Sequence, residues 1–432
     1  MISNRWSTTC GTLPRVTEVV ESKIGNLFAL SVLRFLIGAV LYLCVSLVLS
    51  VPTVRDFYVE RLTSSVAEIP ANNYSPPKAG WAEIDHLADC IALSINAPTL
   101  VEIDYFVEVP FWNPAIYSSG GTTIGCPQLR DFLSSKGTAS GLASSYSRYW
   151  HGYIAVLQPL VMIGGVRFAE VVMGALLLLS GLLLIWELER RSRGFGLLII
   201  CPLLLQPNLN LLFSMSHSIS VTAALVFSVF VLRHKSESFN FMMGYGILYG
   251  SVIGFLSWLT YPALFIGLPI AVMCLSSKFR QLQIAIRSMV SACLIFVGWA
   301  GIWLLKIVLS RRFGPTSDYA MAQFNSWTKQ PPYVETASYL ASQLLEQLQS
   351  SGLLIILVLA TLGVVNFRNS DLPKKLPGLA ISALMSVCYW FLLNGHTAHS
   401  WSYTNLWGLT MFLVASVSVL FSTAIRRMFA VN

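Results

Sequence analysis

The chain has 432 residues, of which 55% are hydrophobic and only 11% charged, with a mean hydropathy of +0.65 and a formal net charge of +8. Soluble domains carry about 25% charged residues, so this composition excludes an ordinary soluble globule and describes a polytopic membrane protein. The positive balance does not indicate nucleic acid, because the basic residues are scattered beside apolar runs; they serve as topology signals and as contacts to anionic lipid.

Residues 1–26 are polar and mixed, and the apolar run Leu27 to Val51 is too long for the core of a cleavable signal, so it is expected to remain as a first spanning helix. Residues 53–150 then form a loop subdomain rich in Pro, Ser, Asn and Gly, without a stretch long enough to cross a bilayer. Within it, Glu83-Ile84-Asp85-His86-Leu87-Ala88-Asp89 gathers acid groups. If helical, Asp85 and Asp89 share one face, backed by Ile84, Leu87, Ala88, Ile91 and Ile95, which predicts a short amphipathic helix with an acid front. Carboxylates so placed disfavour joint ionisation, which suits one of them to general base or acid work. Most of the eight cysteines lie in apolar runs and act as small hydrophobes. Cys90 and Cys126 do not, and in an extracytoplasmic loop they can form a disulfide tying the acidic helix to the following loop.

Tyr153 to Gly164 is expected as a short interfacial or re-entrant helix broken at Gly164-Gly165, with Val166 to Trp186 as the second span. Further spans are expected at Phe195 to Phe213, His217 to Leu232, Phe241 to Trp258, Tyr261 to Leu275 and Met289 to Leu309. A second outer loop at 310–350, with an amphipathic stretch from Val334 to Gln349, leads to spans at Leu353 to Val365, Leu379 to Leu393 and Leu406 to Phe421. The fold expected is therefore an all-α polytopic protein of about ten transmembrane helices, a single membrane-embedded domain over 1–432. Short loops on one side each carry at least two Lys or Arg, and those on the other carry none, which places both termini in the cytoplasm and both long loops outside. Arg34, inside the first span, is expected to snorkel, and Arg167 with Glu170 to neutralise one another near the outer interface.

In this topology His86, His151, His217, His396 and His399 map to the outer side, and only His234 to the inner. Arg148-Tyr149-Trp150-His151-Gly152-Tyr153 marks re-entry of the first loop; an aromatic belt accounts for Tyr149 and Trp150 but not for His151 or Gly152. His396 and His399 join the last two spans, where they can hydrogen-bond a phosphate or sugar, with a divalent metal as the alternative ligand. Arg311 and Arg312 either anchor a helix at headgroups or clamp a lipid-linked phosphate. The sequence contains no Walker A motif, GxSxG elbow, HExxH or CxxC, and almost no acids at span centres, which disfavours a nucleotide-driven pump, a serine hydrolase, a zincin and a proton-coupled carrier.

A first span followed at once by a long outer loop with acids on a short helix, and then many spans of uneven length, resembles the GT-C class of integral membrane glycosyltransferases. Asp85-His86-Leu87-Ala88-Asp89 and Tyr149-Trp150-His151-Gly152-Tyr153 resemble motifs of bacterial membrane proteins related to surface-polysaccharide synthesis, and the plan is similar to O-antigen glucosyltransferases. Acids adjacent or one apart are usual in that class, and Glu83 with Asp85 fits this, whereas Asp85 to Asp89 is wider. The resemblance implies transfer of a sugar from a polyprenyl-phosphate donor to a glycan or lipid-linked acceptor on the outer face of the bacterial cytoplasmic membrane. Asp85, Asp89 or Glu83 would be the base, Arg311, Arg312, His396 or His399 would face the leaving phosphate, and His151, Tyr149, Trp150 and His217 would bind substrate. No cofactor is required beyond an optional divalent metal. A polysaccharide polymerase or ligase, a lipid or solute flippase with an outer vestibule, and a structural scaffold are the alternatives.

Overall fold

The computed structural model describes residues 13–49, 51–72, 74–75, 84–95, 114–116, 125–135, 143–145, 150–191, 194–196, 198–199, 214–234, 238–257, 261–313, 338, 342, 371–392 and 407–430. Eleven α-helices lie among these residues: α1 (Leu13–Leu49), α2 (Pro52–Ser64), α3 (His86–Ser94), α4 (Cys126–Ser134), α5 (Ile154–Arg191), α6 (Met215–Arg233), α7 (Ser238–Leu256), α8 (Pro262–Ser276), α9 (Gln281–Phe313), α10 (Leu372–Leu392) and α11 (Trp407–Ala430). Six of the helices are long and apolar enough to cross a membrane, by length and composition, which makes this a multi-pass membrane protein. Two short antiparallel ladders accompany them: β1 (Tyr74–Ser75) pairs with β2 (Ile84–Asp85), and β3 (Pro114–Ile116) with β4 (Ala143–Ser145).

Helix directions follow from which ends meet. At one end of the bundle, the Phe255 carbonyl of α7 and the Ile302 carbonyl of α9 accept hydrogen bonds from the segment 150–152, and the start of α6 meets α3. We call this the collar end, because α2, α3 and α4 gather there. At the opposite end Glu187 of α5 receives both Arg190 and Arg233, which joins the C-termini of α5 and α6 and makes these two helices parallel. Arg34 of α1 meets Gly244 of α7, and Tyr42 stacks on Phe255 with ring centroids 4.1 Å apart, so α1 and α7 also run the same way.

Helices α7 and α9 approach closely, and missing side chains allow it. Gly246, Gly250 and Gly254 recur every fourth residue on one face of α7. A Cβ at Gly250 would collide with the Ile295 carbonyl oxygen, and one at Gly298 with the Ile247 carbonyl oxygen. Small residues at this spacing let backbones touch where lipid supplies no hydrophobic drive for association. Conversely, Leu33, Leu36, Ile37, Val40 and Leu41 of α1 stay exposed, as expected for side chains that face acyl chains.

Several expectations are corrected. Arg34 is half-buried against α7: its Nη1 donates 2.7 Å to the Gly244 carbonyl, and its guanidinium lies 3.9 Å from the centre of the Tyr245 ring. A glycine on the neighbouring helix leaves its carbonyl within reach, so part of the guanidinium's hydrogen-bonding need is met by the protein. Helices begin earlier than the apolar runs at Gln281 and Leu372, because the flanking polar residues, Arg287 in α9 and Lys374 and Lys375 in α10 among them, are helical too. Where a break is expected, the chain has one: α5 is interrupted at Gly165, whose φ of 83° is open to glycine at little cost. Arg167 and Glu170 form the expected ion pair. The expected spans at 353–365 and most of 195–213, and the amphipathic stretch 334–349 apart from residues 338 and 342, lie outside the described residues.

Candidate functional site

The collar is built around a disulfide. Cys90 of α3 and Cys126 of α4 are bonded, with Cα atoms 5.1 Å apart, which ties two nine-residue helices together. Beneath them Tyr58, Leu62, Ile69, Leu93, Ile95 and Leu129 form an apolar cluster continuous with Tyr153, Leu157, Met215, Ile219 and Trp303 of the bundle. Burial of each large aliphatic side chain there contributes about 1.5–3 kcal/mol. Tyr58 adds a hydrogen bond of 2.9 Å to the Leu93 carbonyl, and burial pushes its phenol above the usual range.

Asp85 and Asp89 are not on one helical face. Asp85 is the last residue of β2, opposite Tyr74, and α3 starts only at His86. Nor does the helix present an acid front, because residues 88–95 are buried without interruption. Pairing in the β1–β2 ladder takes the chain out of helical geometry just before the first turn, and packing on α4 and α6 encloses the rest.

Asp89 is only 3% exposed, and both its oxygens are engaged. Oδ1 accepts from Ser216 N at 2.9 Å, Ser216 Oγ at 2.8 Å and Ser214 Oγ at 3.1 Å, while Oδ2 accepts from Met215 N at 3.0 Å. The first N–H groups of a helix have no partner within it, and here a carboxylate from another element caps them. Burial pushes the carboxyl from 3.8 up to about 6, against the opposing pull of these bonds. A capped, enclosed carboxylate is poorly placed to reach a substrate hydroxyl.

A second carboxylate does similar work at the α5 break. Glu68 Oε2 accepts from the Arg167 backbone N–H at 2.7 Å, which satisfies a donor freed when the helix restarts after Gly165. His86 lies partly buried nearby; burial lowers its pKa and the charge of Glu170 partly offsets this.

The re-entry segment is threaded into the bundle top. Trp150 Nε1 donates 2.7 Å to the Ile302 carbonyl, and Gly152 N donates 2.9 Å to the Phe255 carbonyl. Any Cβ at Gly152 would strike the Phe255 ring, which explains the glycine that an aromatic belt leaves unexplained. His151 is buried with a φ of 54°, and its Nδ1 pairs with the Tyr153 hydroxyl at 2.7 Å.

Below Trp150 lies a residue that sequence reasoning missed. Lys306 of α9 is 1% exposed, and its Nζ stands 5.2 Å from the centre of the Trp150 ring. The signal was present, a lone lysine inside the apolar run Met289 to Leu309. Such intramembrane charges mark function by default.

His217, buried in the first turn of α6 beside the Asp89 cap, meets Tyr261 edge-on with centroids 5.1 Å apart. Asp85, Asp89, Trp150, His151 and His217 are thus all at the collar end, with Lys306 beneath them. Arg312, exposed in the last turn of α9, belongs to the same end, as does the backbone of Arg311. Glu83, Tyr149, His396 and His399 lie outside the described residues. No group of three or more His, Cys, Asp or Glu converges among the described residues as a metal ion would require. No family model, curated protein or solved structure matches the chain.

Proposed function

We propose that the chain is an integral membrane glycosyltransferase that moves a sugar from a polyprenyl-phosphate donor to a cell-surface glycan or lipid-linked acceptor at the outer face of the bacterial cytoplasmic membrane. The observation that carries this reading is that an acid-bearing junction, Asp85 ahead of α3, and a buried lysine, Lys306, beside the Trp150 ring, belong to the same end of the bundle.

Sidedness is supported by chemistry at the two ends. A disulfide persists in an oxidising compartment, which favours an extracytoplasmic collar. Arg190, Arg233, Lys278, Arg280, Lys374 and Lys375 gather away from it, as the positive-inside rule expects of the cytoplasmic side. Helices α5 and α6 both run away from the collar, and α9 and α10 both run towards it, since Gly378 near the start of α10 meets Cys274 near the end of α8.

In the reaction, Asp85 takes the proton of an acceptor hydroxyl as its oxygen attacks the anomeric carbon of the donor. The bond from that carbon to the phosphate oxygen breaks with inversion, and its electron pair leaves on the lipid phosphate. Lys306, Arg311 and Arg312 meet the growing negative charge, which an apolar surrounding makes more valuable than it would be in water. His151 and His217 are buried against their aromatic partners Tyr153 and Tyr261, so on this reading they support the site from behind rather than touch the sugar. Asp89 has no part in proton transfer, because its oxygens are committed to α6.

The test is transfer of radiolabelled hexose from polyprenyl phosphate by the lipid-reconstituted chain and by Asp85→Asn and Lys306→Met. Product from the native chain, and a loss of at least about a hundredfold in Asp85→Asn, support the proposal. Lipid flipping by the native chain with no covalent product from any donor would replace it with a transport function.

A further inference from the structure

Asp89 and the adjoining disulfide hold α3 at two consecutive residues, in two directions. Residue 89 is bonded to the first turn of α6, and residue 90 to α4. The junction that carries Asp85 stands one turn earlier, in the β1–β2 ladder that runs directly into α3. Neither contact reaches into the apolar bundle for its own sake. The cap is buried, polar and made between elements 125 to 127 residues apart, and it places the start of α3 against the one helix whose first turn carries His217.

We infer that Asp89 is a positioning residue, which with the Cys90–Cys126 bond clamps the β2–α3 junction to the N-terminus of α6 and so fixes where Asp85 stands relative to the donor. The inference rests on Asp85 being the base. It predicts that loosening the clamp degrades alignment of the reacting groups while leaving the chemistry of the base intact. A misplacement of about 1 Å can cost about a hundredfold in rate.

Two substitutions attack the contact from opposite sides, Asp89→Ala in the collar and Ser216→Ala in the bundle, and Asp89→Asn keeps one acceptor oxygen as a conservative control. Activity is measured at a temperature where hydrogen exchange shows each variant fully folded. Asp89→Ala is expected to lose about tenfold to a hundredfold in kcat with KM for donor and acceptor within about twofold. Asp89→Asn should recover much of that loss. The acidic limb of the rate profile, which reports the base, should persist in both variants. Disappearance of that limb in Asp89→Asn would make Asp89 itself the base and overturn the inference. A second readout needs no activity: spin labels at Asp131 on α4 and Val226 on α6 report the distance from collar to bundle. A broader or shifted distance is expected in Asp89→Ala and in Ser216→Ala, and an unchanged one in both would remove the clamp. If the native chain transfers no sugar, the glycosyltransferase reading fails, while the distance measurement still decides whether the clamp exists.

Discussion

The buried carboxyl of Asp89 makes a quantitative demand on how stability depends on pH. Burial lifts its pKa from 3.8 to about 6 in the folded chain, despite the four hydrogen bonds it accepts from residues 214–216. A folded-state pKa above the unfolded value means that the folded chain binds the proton more tightly. Its stabilising effect is fully present below pH 3.8, declines through the interval and is lost above about 6. At 1.36 kcal/mol per pKa unit, the whole interval corresponds to about 3 kcal/mol. Asp89→Asn removes the titration without removing the side chain's bulk. Reversible unfolding in mixed micelles, followed from pH 7.5 to 4, should therefore show the native chain gaining up to about 3 kcal/mol relative to Asp89→Asn. Every other titrating group cancels in that difference. Parallel curves would refute the reasoning, and a native chain that loses ground on acidification would show that the four bonds outweigh desolvation and hold the carboxyl low.

Other outcomes can be checked with similar means. Replacing Cys90 and Cys126 with serine opens a loop of sequence separation 36 and should cost about 4 kcal/mol by the loop-entropy relation, measured as the difference in unfolding free energy with and without reductant. Gly250→Leu should separate α7 from α9 and destabilise by about 3 kcal/mol or more, because the obstructing atom is a backbone oxygen that has no rotamer to yield; loss of thermal stability in detergent reads it. Gly165→Ala should cost about 1–2 kcal/mol, since a Cβ at a φ of 83° is strained and also meets Ser65 Oγ at 2.6 Å. Lys306→Met should leave the fold intact and lower kcat for transfer by at least about tenfold with KM for the polyprenyl donor little changed, while Lys306→Arg retains a donor to the leaving phosphate and more of the activity.

Hydropathy alone located most of the long apolar helices, and the alternation of basic and uncharged loops predicts an order for them across the membrane. These features are local: a run of apolar side chains either fills a bilayer or does not, whatever its neighbours do. The break at Gly165 and the pairing of Cys90 with Cys126 were legible for related reasons, one from a Gly-Gly step and one from two cysteines isolated from the apolar runs. The acid pair was misjudged because a spacing of four implies a shared face only where the backbone is helical throughout, and the ladder with Tyr74 ends that condition at Asp85. Nothing in the sequence around residue 89 announces that its partners lie at 214–216, since a cap donated from a distant element has no local signature. Arg34 likewise depends on a glycine 210 positions away to expose a carbonyl. Thus the sequence by itself determined a multi-pass helical membrane protein and named its candidate polar groups without placing them. Only tertiary structure decided which of those groups cap helices and which are buried at the collar end together with Lys306, because burial and hydrogen-bond partners are properties of the packed chain.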